Sequence, residues 1–129
     1  PLVTGVQTCA LPIFARNQDD HVKNIAFLMD RTGQWSLSPA FDVTWSFNPS
    51  GAWTARHQMS VNGKRDQFAL PDLLAAGRSA QLKRGRAEAI AQEVLLAVRD
   101  WPRFAADAGV SEEHAKEIQA SHRLNLLEP

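Results

Sequence analysis

Asp19 stands five positions before Asn24, and Asp42 follows beyond an apolar, turn-containing stretch. These are groups that phosphoryl transfer requires. Such catalysis is mostly positioning and charge stabilisation. One carboxylate orients or deprotonates the attacking hydroxyl, while hard oxygen donors hold magnesium against the phosphate oxygens. The segment Asn17-Gln-Asp-Asp-His-Val-Lys-Asn24 concentrates the polar groups. Asp19 and Asp20 are adjacent, so only one can readily face a common site. The spacing to Asn24 favours Asp19, and Asp20 otherwise reads as a loop-capping carboxylate. Plainer roles exist for the others: Asn24 as a turn cap, Asp42 as a turn residue after Pro39, His21 as a structural histidine. A rival chemistry is metal-dependent hydrolysis through Asp19, Asp20, His21 and Asp42, which requires a close metal cluster that includes His21.

Several elements must bring these residues together. Ile25-Ala-Phe-Leu-Met29, the turn residues Asp30-Arg-Thr-Gly33 and Trp35-Ser-Leu37 read as a strand, a turn and a second strand, a β-hairpin. Pro39 ends the second strand because it has no amide hydrogen for the ladder. A hairpin reverses the chain, so Asn24 before it and Asp42 after it can lie close. Asn48-Pro49-Ser50-Gly51 and Val61-Asn62-Gly63-Lys64 are turn signals. The remainder reads as helical. A short helix opens at Pro71. A second runs from Arg86 to Trp101 with Ile90, Val94, Val98 and Trp101 on one apolar stripe. Pro102 ends or kinks that helix, Gly109 is a C-terminal cap, and Ser111 is an N-cap followed by Glu112 and Glu113. Trp35, Trp45, Trp53 and Trp101 read as packing anchors. His57, His114 and His122 read as surface residues.

Composition narrows the classes. The 129 residues suit one small domain or part of a larger one. Fourteen basic and fourteen acidic side chains give no net charge, unlike the basic footprint of a nucleic-acid binder. The cluster Lys83-Arg84-Gly85-Arg86 reads as a solvated helix entrance. No apolar run approaches the roughly 20 residues that span a bilayer. The single Cys9 fits a reducing cytoplasm and leaves no metal pair of cysteines. Residues 1–13 lack the basic start of a signal peptide, and Val3 to Ile13 reads as a translated sequencing adapter, a non-native leader to be left out of the fold. On that reading Cys9 carries no biology and the native chain begins near Phe14.

Three ordered blocks carry a family resemblance: Asn17-Gln-Asp-Asp-His-Val-Lys-Asn24, Leu37-Ser-Pro-Ala-Phe-Asp-Val43 and Met59-Ser-Val-Asn-Gly-Lys64. Protein kinases place a catalytic Asp five residues before a metal-binding Asn. The blocks resemble the successive signatures of HipA-type bacterial serine/threonine kinases, toxins of toxin–antitoxin pairs. The resemblance spans Phe14 to Gly109. It implies a mainly α-helical, truncated C-terminal lobe of a kinase-like fold with a small β-hairpin, residues 14–69 holding the catalytic and metal-binding segments and 70–129 the helical part. It also implies Asp19 as the catalytic carboxylate, Asn24 and Asp42 as ligands of magnesium bound with ATP, Lys23 as phosphate support and His21 as an organiser of the loop. The implied partners are a protein substrate such as an aminoacyl-tRNA synthetase and a HipB-like helix-turn-helix antitoxin. Gln18 before Asp19, and Val43-Thr44 after Asp42, depart from the eukaryotic kinase pattern. With no Gly-rich phosphate loop and no nucleotide-binding lysine upstream, the chain alone is expected to be inactive. A non-catalytic module that binds an antitoxin is the other alternative.

Overall fold

The computed structural model describes residues 5–128, which form five α-helices and one two-stranded sheet. Helix α1 (Gly5–Ala15) leads into the polar loop, whose short 3-10 turn covers Val22–Asn24. Strands β1 (Phe27–Met29) and β2 (Trp35–Leu37) follow, and then an irregular stretch. Helices α2 (Leu70–Ser79), α3 (Arg86–Arg99), α4 (Trp101–Asp107) and α5 (Glu112–Ser121) complete the chain. The fold is mainly helical with one antiparallel hairpin.

The largest departure from the sequence reading concerns residues 1–13. Residues 1–4 lie outside the described residues, but Gly5 onward belongs to α1, the helix packed most extensively on α3. Ala10, Ile13 and Phe14 are fully or almost fully buried and join Leu73, Ala91, Leu95 and Val98 in one core. The physical reason is simple: Cys-Ala-Leu-Pro-Ile-Phe is apolar, and α3 presents an apolar face that needs a cover. Burying a Phe or Ile side chain is worth roughly 1.5–3 kcal/mol. That gain offsets the cost of Pro12 inside the helix, where one backbone bond is lost. Whatever the origin of the segment, it cannot be left out of this fold.

Helix α3 buries Ala87, Ile90, Ala91, Leu95 and Val98. The expected stripe is therefore broader and turned toward α1: Val94 is half-buried, and Trp101 starts α4. Asp100 separates the two helices. Pro102 sits in the first turn of α4, where its missing amide costs nothing. Gly109, at φ +72°, closes α4, with its own amide donating to Ala106 O (3.0 Å) and the Val110 amide to Ala105 O (2.9 Å). That double bond pattern is a Schellman cap. Ser111 then caps α5 by accepting from the His114 amide. Gly77 of α2 lets α2 and α3 touch, since a Cβ there would come within 2.5 Å of Ala87 Cβ.

The expected hairpin is present, with Phe27 opposite Leu37 and Met29 opposite Trp35. Its turn is organised by Asp30, whose Oδ1 accepts from the Thr32 amide, the Thr32 hydroxyl and the Gln34 amide. Both of its faces are largely open, so Trp35 is 67% exposed. Trp35 and Trp53 are thus not packing anchors, because no element lies over them. Trp45 and Trp101 do anchor, through Nε1 bonds to Ser121 Oγ (2.8 Å) and Ala115 O (2.9 Å). His57 is buried and His122 half-buried, against the expectation of a surface position. No described helix is long and apolar enough to cross a membrane.

Candidate functional site

The polar loop leaves α1 through Arg16, whose backbone is left-handed (φ +60°) and so turns the chain out of the helix. The loop then pairs with the segment that follows the hairpin. Gln18 N donates to Ser46 O (3.0 Å), and Ser46 N donates to Arg16 O (3.1 Å). This short parallel bridge draws Asp42 to the loop's flank. Asn17 Nδ2 donates to Asp42 O at 3.3 Å. Asp42 is itself left-handed (φ +55°), a costly conformation for a residue with a Cβ that is concentrated at functional sites.

Asn24 and Asp42 line one cleft of about 390 Å³, together with Asn17 and Asp20. Apolar side chains from α1, α3 and the stretch after β2, among them Leu11, Val94 and Phe41, form the rest of the wall. The cleft is therefore a largely hydrophobic trough with a few polar residues in its wall. Asn24 Nδ2 reaches back to the Asp19 carbonyl (3.4 Å), leaving Oδ1 as the acceptor free of that bond. Burial pushes the Asp20 carboxyl up, and the charge of neighbouring His21 opposes the shift. Asp19 is exposed and is not part of the cleft wall. The spacing of Asp19 and Asn24 thus appears in the structure as a side-chain-to-backbone contact.

Asn24 and Asp42 line the same cleft, and oxygen donors of their kind suit a hard cation such as magnesium. Lys23 is exposed and does not line the cleft. His21 does not line it either, and its buried Nδ1 has no hydrogen-bond partner. Among the described residues no loop-ordering bond is made by that nitrogen. Backbone contacts of the 3-10 turn order the loop instead, with Asn24 N donating to His21 O at 2.9 Å. Among the described residues no three His, Cys, Asp or Glu side chains are placed to hold a metal, which removes the cluster that the hydrolase reading needs.

Sequence reasoning missed what holds the loop from below. Arg123, in the segment after α5, donates Nη2 to Gln18 Oε1 (3.0 Å) and to Asp66 Oδ1 (2.8 Å), and Nη1 to Ile13 O (2.7 Å). The buried His57 ring lies 3.3 Å from the same guanidinium. Burial, then the charges of Arg123 and Arg16, lower the His57 pKa to about 4, so the ring is neutral near pH 7. Burial alone would raise the Asp66 carboxyl; the Gln67 amide and Arg123 outweigh it and hold it below the usual range. The only local hint was the position of Gln18, directly before Asp19. Its partner lies 105 residues away, beyond the reach of any local pattern.

No curated protein and no solved structure matches the chain. A family match covers residues 2–121 and so takes in the polar loop, the hairpin, Asp42 and helices α1 to α5. The chain belongs to the HipA-like C-terminal domain family.

Proposed function

We propose that this domain is the catalytic-loop part of a HipA-type serine/threonine protein kinase and that its cleft is where phosphoryl transfer is organised. The observation that supports the reading is that Asn24 and Asp42 line one cleft, although the hairpin separates them in sequence. Bound magnesium–ATP would supply the phosphoryl group and the neutralising charge. Asn24 Oδ1 and the Asp42 carboxylate hold the cation. Asp19, beside the cleft and linked to Asn24 through its carbonyl, orients the incoming Ser or Thr hydroxyl and accepts its proton. Lys23, exposed on the same loop, is free to swing toward phosphate oxygens.

The protein substrate belongs to the translation machinery, an aminoacyl-tRNA synthetase for example, and a helix-turn-helix antitoxin of the HipB type restrains the enzyme in the cytoplasm. Family membership supports both assignments. The test is transfer of labelled γ-phosphate to protein by the intact kinase that carries this domain. Asp19→Asn is expected to abolish transfer, while Asp20→Asn lowers it much less. Full activity of Asp19→Asn contradicts the assignment, and loss in Asp20→Asn alone moves the catalytic role to Asp20. The alternative, a binding module without catalysis, is favoured by the open apolar faces of the hairpin. It predicts that no variant of these residues changes phosphorylation.

A further inference from the structure

We propose that Arg123 is a positioning residue for the polar loop, acting through Gln18 to fix Asp19 and Asn24 against Asp42. The inference rests on the phosphoryl-transfer reading above and adds a residue from beyond the family match, which ends at 121.

Gln18 is fully buried, and every polar atom of its side chain is engaged. Its Oε1 accepts from Arg123 Nη2 and from Arg16 Nη1, both at 3.0 Å. Its Nε2 donates to Thr54 O at 2.7 Å. With its amide on Ser46 O, Gln18 is held from three sides, and the planar peptide transmits that placement to Asp19. Arg123 in turn is fixed by four contacts from separate parts of the chain. They are Ile13 O at the end of α1, Gln18, His57 and Asp66, while its own amide donates to Phe14 O (2.9 Å).

The chemistry of the guanidinium explains why an arginine serves here. Its rigid fork of five donors reaches several acceptors at once, which an ammonium on a flexible stem cannot do. The side chain is only 11% exposed and Gln18 is fully buried, so the Gln18 oxygen it leaves has little access to water. The fork's hydrogen bond to the core is to the Ile13 carbonyl, and the Ile13 and Phe14 side chains keep their packing with Leu73, Ala91 and Leu95 without it, whereas Gln18 Oε1 and Asp66 are held by the guanidinium directly. Loss of the fork should therefore release the loop before it loosens the helices.

The test uses the full chain, with amide hydrogen exchange and Mn²⁺ line broadening followed by NMR, for the unaltered protein, Arg123→Lys and Arg123→Met. Exchange of the amides from 18 to 24 is expected to accelerate roughly tenfold or more in Arg123→Met, with little change in α2 and α3. Broadening by Mn²⁺ at Asn24 and Asp42, expected in the unaltered chain, should weaken severalfold. Arg123→Lys, which keeps the charge and a milder structure, should lie between the two and serves if Arg123→Met does not fold. Equal acceleration everywhere, or broadening undiminished in both variants, overturns the positioning role. If the unaltered chain shows no broadening at Asn24 and Asp42, the metal-binding reading itself fails, and the role given to Arg123 falls with it.

Discussion

Two regions border the same cleft and are built on opposite principles. The polar loop from Arg16 to Asn24 is charged and hydrogen-bonding in character, yet its base is buried and tied by Arg123, Ser46 and Thr54. The hairpin from Phe27 to Leu37 is apolar in sequence, yet it stands in solvent with Phe27, Leu28, Met29 and Trp35 all more than half exposed. The geometry of the candidate site is therefore set by buried polar groups, and the hairpin contributes chiefly the reversal that returns the chain to Asp42. A buried polar network fully satisfied by partners specifies position well. An exposed two-stranded ribbon specifies little by itself.

If the clamped region is the structural foundation, its perturbation should be costly. The largest effect is expected for Phe14→Ala at the junction of α1 and the loop. Truncating this buried ring should cost about 3–5 kcal/mol in chemical denaturation. A cost near zero would mean that α1 is not part of the folded core.

Acid should act next. His57 carries a proton in the unfolded chain below about pH 6.5 but resists it in the fold down to about 4. Its contribution is therefore fully present above pH 6.5 and is lost as pH falls toward 4, a decline of up to about 3 kcal/mol. Unfolding midpoints measured across that window should show the decline, and His57→Gln should flatten it. A smaller effect is expected from Asp72→Asn. The buried Asp72 accepts from Asn62 Nδ2, Lys64 Nζ and the Ala69 amide, tying the turn at 61–64 to α2. Losing the charge should cost about 2 kcal/mol by the same denaturation measurement. At the other end of the comparison, Phe27→Thr on the hairpin should change stability by no more than about 0.5 kcal/mol while reducing self-association in light scattering. A large loss there would show that the hairpin is covered in solution and would erase the contrast.

The two regions also differ in how legible they were. The hairpin, the turns at 48–51 and 61–64, the Gly109 cap and the Ser111 cap rest on local chemistry, and the structure has all of them. That Asn24 and Asp42 line one cleft is consistent with chain reversal, which is also a local signal. The polar clamp was not legible, because Arg123 and Gln18 are joined only by tertiary folding. His57 was misread for the same reason: nothing beside it in sequence announces Phe68 and Arg123 as its neighbours. The leader was read on a different ground. Its resemblance to a sequencing adapter speaks to origin, whereas burial depends only on whether Ile13 and Phe14 can cover α3. The spacing favoured Asp19 over Asp20, whereas the structure puts Asp20 on the cleft wall and Asp19 in solvent.

The central claim is that oxygens from either side of the hairpin share one cation site. Titrating Mn²⁺ into the isotopically labelled chain tests it most directly, because paramagnetic broadening falls off steeply with distance and detects weak binding. The account predicts that signals of Asn24 and Asp42 broaden together and first, and that Asp42→Ala removes the effect at Asn24. Broadening that begins elsewhere, or at Asn24 regardless of residue 42, would contradict it.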